Sequence, residues 1–153
     1  MVVQASAATW ESIRIGDELP SQTKLETQET INTYAAFRRA ALGPRREWKD
    51  LHTDPEFAQG GIFGGTVNMG VATADYFFQV LERAFPYEAL FSPHSRYSFK
   101  AVAPIRGGDT VTITGKVVDK RQEDGRKLVV CELTGVNQRG QVVYVGTATV
   151  HFP

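Results

Sequence analysis

The apolar residues of the first half of the chain recur at helical spacing. The pattern predicts a helix over residues 27–42, which Thr27 is suited to cap and which Gly43 and Pro44 would end. Apolar side chains on one face of this helix are expected to face the core. They are Ile31, Tyr34, Ala35 and Leu42. A short strand is expected just before this helix, within residues 10–27.

A second helix is predicted over residues 66–85, and its apolar residues cover nearly every side. A helix that is apolar all round needs cover from several directions, so we expect it to be buried. Its first turns carry small residues, among them Gly70, which would allow other backbone to approach closely. Tyr76, Phe77 and Phe78 in its middle are expected to belong to the core more than to a pocket.

Beyond Pro86 the pattern changes to long runs rich in Val, Thr, Ile, Tyr and Phe, which are typical of strands. The runs are residues 96–104, 109–121, 126–137 and 141–152. They are separated by Arg-Gly-Gly-Asp, Glu-Asp-Gly and Gln-Arg-Gly, which are turn sequences. We therefore expect consecutive antiparallel strands.

One apolar-faced antiparallel sheet wrapped around one long buried helix satisfies both halves of the pattern. That arrangement is the hot-dog fold, in the α+β class. A length of 153 residues fits a single domain, residues 1–153, with a sizeable core.

Charge and cysteine content exclude several classes of function. Lys+Arg and Asp+Glu both number 17, so no basic excess is available for a nucleic-acid backbone. The single cysteine, Cys131, rules out an internal disulfide and a cysteine-built metal site, and we expect it in a buried strand. No His, Asp and Glu cluster has metal-ligand spacing.

The first 20 residues contain no basic segment leading into an apolar one, so no signal peptide is recognised. No run of about 18 apolar residues occurs, which argues against a membrane span. We therefore expect a cytoplasmic protein.

Candidate chemistry centres on His52, which precedes Thr-Asp-Pro-Glu at residues 53–56. That sequence predicts a capping box between the Thr53 hydroxyl and Glu56 at the start of a short helix. Taken alone, His52 is either an exposed residue at this helix start or part of an active site. His94, in a predicted loop, and His151, in the last strand, are expected to be structural.

Several segments of the chain are similar to those of the MaoC-like dehydratases, a family that includes the R-specific enoyl-CoA hydratases. The resemblance covers most of the chain, and its most specific parts are LHTDPEFA and the strand around Gly108-Asp109-Thr110. The other matching segments are WESIRIGDELP, FGGTVNMGVATADYF, AVAPIRGGDTVTITGKVV and GQVVYVGTATVHFP.

The resemblance implies reversible addition of water to a trans-2-enoyl thioester, which gives a 3-hydroxyacyl thioester. In that family an Asp and a His five residues apart activate the water and return a proton to the α-carbon. The histidine corresponds to His52 here, and the carboxylate position holds Glu47. Asp50 is the rival carboxylate, because the connector before His52 is longer than usual. Lys49 stands where the family has an asparagine.

The resemblance also implies the substrate contacts. The backbone N–H of Gly70, at the start of the buried helix, would receive the thioester carbonyl. Met69 stands where the family has a histidine, and Phe63 and Gly65 belong to its phenylalanine-glycine lead-in. We therefore expect Gly70, Gly65, Met69 and Phe63 to contact substrate.

The departures from the family pattern leave two other functions open. One is a non-catalytic hot-dog domain that binds an acyl thioester or a partner chain, and the other is a hot-dog thioesterase. The substrate is expected to be an acyl-CoA or acyl-carrier thioester, with no further cofactor. The family also implies at least a homodimer, with the site near the subunit interface.

Basic residues near His52 have two interpretations, a solvated charged face or a contact for coenzyme A phosphates. These residues are Arg38, Arg39, Arg45, Arg46 and Lys49.

Overall fold

The architecture is given by a computed structural model, which describes residues 1–43 and 49–153. Its elements in chain order are β1 (Gln22–Leu25), α1 (Gln28–Leu42), α2 (Pro55–Gln59), α3 (Gly70–Ala84), α4 (Tyr87–Leu90), β2 (Arg96–Ala101), β3 (Thr110–Glu123), β4 (Arg126–Asn137) and β5 (Val142–Phe152).

The five strands form one antiparallel sheet in the order β1-β3-β4-β5-β2. The turn from β3 to β4 places Asp124 (φ 50°) and Gly125 (φ 76°) in the left-handed region, as a tight hairpin with a primed turn requires. The four predicted strands are present, but the expected pairing of consecutive strands is wrong for the first of them, since β2 pairs with β5 and not with β3. The first of them ends at Ala101, before Pro104, which has no N–H to donate to a strand ladder.

Helix α3 packs on the apolar face of the sheet, and its central residue Phe77 is fully buried. Two glycines of the sheet, Gly135 and Gly146, lie against the Phe77 ring. The same ring packs on the rings of Phe99 and Tyr144, with centroids 5.7 Å and 5.1 Å away. The helix therefore approaches the bare backbone of β4 and β5 closely, and the α+β hot-dog architecture is confirmed.

The predicted helical limits need two corrections. Helix α3 begins at Gly70, not at residue 66, because the preceding residues bond to other segments. Val67 N–H donates to Leu51 O and Asn68 N–H donates to Ile105 O. In α1 the Thr27 cap is confirmed and Ile31 is buried, but Leu42 is 48% exposed and does not reach the core.

The expected capping box at Thr53 and Glu56 is wrong. Asp54 is the cap of α2, and its carboxylate accepts from Phe57 N–H at 3.0 Å. Pro55 then occupies the first helical position, where its missing N–H costs nothing. The Thr53 hydroxyl donates instead to Asp50 Oδ1.

Within the described residues, no helix has both the length and the apolar character that crossing a membrane requires. In the same part of the chain, no group of three or more His, Cys, Asp or Glu side chains is placed to hold a metal ion.

Candidate active site

Asp50 shapes the turn that presents His52. Its Oδ1 atom accepts from the backbone N–H groups of His52 and Thr53, each at 2.8 Å, and from the Thr53 hydroxyl at 3.1 Å. An aspartate that accepts from the backbone two residues ahead forms an Asx-turn. The orientation of the His52 backbone therefore depends on the Asp50 side chain.

The other oxygen of this carboxylate is bound by Arg39, which extends from the last turn of α1. Arg39 Nη2 lies 2.7 Å from Asp50 Oδ2. Burial alone would raise the pKa of Asp50, but the Arg39 guanidinium and the two backbone N–H groups outweigh it and hold the pKa below its ordinary value. Both oxygens of Asp50 are thus engaged in holding the turn.

The His52 imidazole is oriented by one backbone carbonyl. Nδ1 lies 2.8 Å from Val67 O, which can only accept, so the neutral ring carries its proton on Nδ1 and a lone pair on Nε2. Gln28 holds the same region together, because its amide donates to His52 O at 2.8 Å and accepts from the Thr66 hydroxyl at 2.7 Å. The ring is therefore oriented with Nε2 as its acceptor, and no donor to Nε2 occurs within residues 1–43 and 49–153.

His52 lines a cavity of about 380 Å³ between the α3 start and the segment that joins β2 to β3. Most of its wall is apolar, and the polar groups lie at one side around His52 and the first turn of α3. The lining residues are Leu51, His52, Phe63, Val67, Asn68, Gly70, Thr73, Ala101, Val102, Ala103, Pro104, Ile105 and Tyr144. An apolar wall with a few polar groups is the usual form of a small-molecule site.

Gly70 is the first residue of α3 and also lines this cavity. The first N–H groups of a helix have no intrahelical acceptor, and residues 1–43 and 49–153 supply none for Gly70. Its carbonyl accepts from the Tyr144 hydroxyl at 3.0 Å, which anchors this peptide to β5. The site thus combines a fixed imidazole with an available backbone donor.

The structure brings only some of the predicted substrate contacts to the cavity. Phe63 and Gly70 line it. Met69 is buried on the other side of its segment, where it packs with Ala35 of α1. Gly65 is outside the cavity lining, and its φ of 151° and the nearby Arg106 guanidinium indicate a role in the backbone of the loop.

The other candidate site residues lie either away from the cavity or outside the described residues. Glu47 lies outside the described residues, as do Arg45 and Arg46. Phe77 belongs to the core, as predicted. His151 Nδ1 lies 2.7 Å from the Ser92 hydroxyl, away from the cavity.

Three residues around the α3 start were not singled out from the sequence. In the sequence, Tyr144 is an ordinary residue of a predicted strand and Glu26 is a polar residue at the end of another, so neither indicates a functional role. Only Asn68 carried a signal, since asparagine just before a helix is a capping residue type.

Comparisons with known proteins agree with the fold. The family model described as a MaoC like domain matches residues 16–138. A monoamine oxidase regulatory protein from Archaeoglobus fulgius is 24% identical, with a TM-score of 0.76 over 99% of this chain and 95% of that one. A MaoC-like dehydratase from Rhodospirillum rubrum is also 24% identical, with a TM-score of 0.71 over 92% and 93%.

An (R)-hydratase from A. caviae involved in PHA biosynthesis is 22% identical, with a TM-score of 0.69 over 94% of this chain and 99% of that one. No curated protein matches the chain significantly. At these identities the solved structures establish the shared fold.

Proposed function

This chain belongs to the MaoC-like domain family, and from that membership we propose that it is an acyl-thioester hydratase/dehydratase. The reaction is the reversible hydration of a trans-2-enoyl thioester to a 3-hydroxyacyl thioester. The observation that carries the proposal is the placement of His52 and Gly70 on the wall of one apolar cavity.

His52 acts on water in the proposed reaction. With its Nδ1–H donated to Val67 O, the neutral ring offers Nε2 to a water molecule. Nε2 takes a proton as the water oxygen bonds to C3 of the enoyl group, and the imidazolium then returns that proton to C2, which regenerates the neutral ring. An imidazole suits this role, because its ordinary pKa of about 6.5 lies near neutral pH.

The Gly70 N–H receives the thioester carbonyl. Negative charge develops on that oxygen as water adds at C3, and a preorganised donor at a helix N-terminus stabilises it. Tyr144 supports this assignment, since its hydroxyl fixes the carbonyl of the same residue from the sheet side.

We assign Asp50 to holding the His52 turn and keep Glu47 as the predicted partner of His52. Both oxygens of Asp50 already accept hydrogen bonds, from Arg39, Thr53 and the His52 N–H. A carboxylate so engaged has little capacity left to bind water.

The substrate is an apolar acyl chain on coenzyme A or an acyl carrier, and no other cofactor takes part. The apolar wall formed by residues 101–105 supports this class. A homodimer completes the proposed assembly. Phe63 and Val102, which line the cavity, remain 37% and 54% exposed on a single chain.

The decisive experiment follows the enoyl-thioester absorbance of purified protein with short- and medium-chain trans-2-enoyl-CoAs, with a thiol reagent in a parallel sample. Loss of the enoyl band without free thiol is the expected result. Release of free thiol would identify a thioesterase instead, and no change across all chain lengths would favour a binding domain.

Replacing the imidazole tests the assignment of His52. His52→Ala should lower kcat by at least about a hundredfold, the usual contribution of a general base. Since His52 is half-buried at a turn, we expect only a small change in melting temperature. His94→Ala, which removes a histidine far from the cavity, is the matched control and should keep wild-type kcat. Full activity in His52→Ala would remove His52 from the mechanism.

A further inference from the structure

Among the described residues, the most deeply buried carboxylate is that of Glu26, which lies between β1 and α1. Its relative exposure is 1%, and no ion pair to it occurs within residues 1–43 and 49–153. Burying a carboxylate is costly unless hydrogen bonds compensate for its lost hydration. The surroundings of Glu26 supply those bonds from uncharged groups.

Three side chains donate to this carboxylate. Asn68 Nδ2 lies 2.7 Å and the Tyr76 hydroxyl 2.8 Å from Oε2, while the Thr30 hydroxyl donates to Oε1. Burial and the neighbouring Glu26 carboxylate raise the pKa of Tyr76, so its hydroxyl stays a donor. Glu26 therefore ties the first turn of α1 to the segment just before α3 and to the second turn of α3.

Asn68 connects Glu26 to the segment that lines the cavity. Its backbone N–H donates to Ile105 O at 2.7 Å, and its Oδ1 accepts from Met69 N–H at 2.8 Å. The backbone N–H and both side-chain polar atoms of Asn68 are thus engaged, and Gly70 follows only two residues later. Asn68 also lines the cavity, so this turn forms part of the site itself.

We propose that Glu26 is a positioning residue, which acts through Asn68 to hold the turn that aims the Gly70 N–H into the cavity. The proposal rests on the function proposed above for Gly70. Glu26 itself does not line the cavity, so it does not touch the substrate.

Two substitutions at Glu26 separate the effect of its hydrogen bonds from the effect of its side-chain volume. Glu26→Met keeps the length of the side chain but accepts no hydrogen bond from Asn68 or Tyr76. Glu26→Gln keeps one amide oxygen for both donors, and its NH₂ group would face Thr30 Oγ1, which can accept.

In Glu26→Met we expect kcat to fall about ten- to a hundredfold with KM nearly unchanged, because a donor displaced by about an ångström loses transition-state stabilisation. Glu26→Gln should recover most of the loss. Ser95→Ala is the matched control, since it removes a different buried polar group, a hydroxyl that donates to Ala89 O and accepts from His151 N–H, away from the cavity. Its kcat should stay at the wild-type value.

A second measurement is made without substrate. Amide hydrogen exchange of Asn68, Met69 and Thr73, whose N–H groups donate to Ile105 O, Asn68 Oδ1 and Met69 O, should be faster in Glu26→Met than in the wild type, and unchanged in Ser95→Ala. If Glu26→Met does not fold, Asn68→Asp breaks the same link while keeping an oxygen for the Met69 N–H, and it should show the same changes.

The outcomes separate the two proposals. A wild-type protein without hydratase activity would overturn the proposed function, and the exchange rates alone would then decide whether Glu26 holds the turn. Unchanged exchange at Asn68 and Met69, or an unchanged kcat in an active folded variant, would overturn the role of Glu26.

Discussion

The role of the Asp50 carboxylate is decided by the groups that it contacts in the fold. In the sequence Asp50 is the rival of Glu47 for an acid–base role, because the connector before His52 is longer than usual. In the fold its oxygens accept from Arg39, from the Thr53 side chain and from two backbone N–H groups, which lowers its pKa. Its contribution is therefore to the stability and orientation of the His52 turn.

Asp50→Asn should destabilise the protein at neutral pH by about 1–3 kcal/mol, the usual value of a hydrogen bond to a charged group. A carboxylate with a lowered pKa in the folded state contributes its stability above its unfolded pKa of about 3.9, and that contribution is lost as pH falls through the folded value. The difference between wild type and variant should therefore shrink below about pH 4.

Chemical denaturation at several pH values measures this difference. Asp119→Asn, which removes a carboxylate from an exposed ion pair with Arg121, controls for the loss of one negative charge. A difference between wild type and Asp50→Asn that stays constant into acid would contradict the role assigned to the ion pair.

At the scale of elements, the position of α3 depends on the absence of side chains in the sheet. Gly135 on β4 and Gly146 on β5 leave room for the Phe77 ring, and Phe99 lies opposite Gly146 on β2. The Phe77 ring therefore packs directly on the backbone of the sheet. This contact fixes the distance between α3, which begins at Gly70, and the sheet.

Gly146→Ala should destabilise the fold by about 1–3 kcal/mol, as overpacking of a core usually does. The added methyl group would lie 2.5 Å from Phe99 Cδ1 and 3.3 Å from Phe77 Cδ1, which forces both rings to move. Thermal unfolding followed by circular dichroism measures the loss. Gly60→Ala is the control, because its added methyl group would meet its nearest neighbour at an ordinary 3.8 Å. Equal melting temperatures for the two variants would refute the packing argument.

At the scale of the whole molecule, the sheet encloses the single thiol of the chain. Cys131 on β4 is fully buried, and burial raises its pKa to about 12. Thiol reagents attack the thiolate, which is then scarce as well as inaccessible. The folded protein should therefore contribute nothing to an assay for released coenzyme A.

A thiol reagent at pH 8 should titrate no thiol in the native protein and one after denaturation. Cys131→Ala should give zero in both states and serves as the blank. A native protein that reacts within minutes would show that β4 opens on that timescale.

The sequence predicted the strands and the buried helix because their signals are local. Alternating β-type residues and a helix apolar all round define the sheet and α3 without any knowledge of partners. The start of α3 was misplaced because it depends on a distant acceptor, Ile105 O, for the Asn68 N–H. Glu26 was missed for the same reason, since its donors lie 4 to 50 residues away in the chain.

The packing of Phe77 on the glycines of β4 and β5 also limits which parts of the protein can change without loss of the fold. A larger cavity cannot be obtained by lifting α3, since the helix and sheet are in contact along bare backbone. The cavity can instead be reshaped at residues 101–105 and in the loop that carries Phe63, which line it outside this contact. A laboratory-evolution library confined to those two segments should retain folded variants at a far higher frequency than one that includes α3.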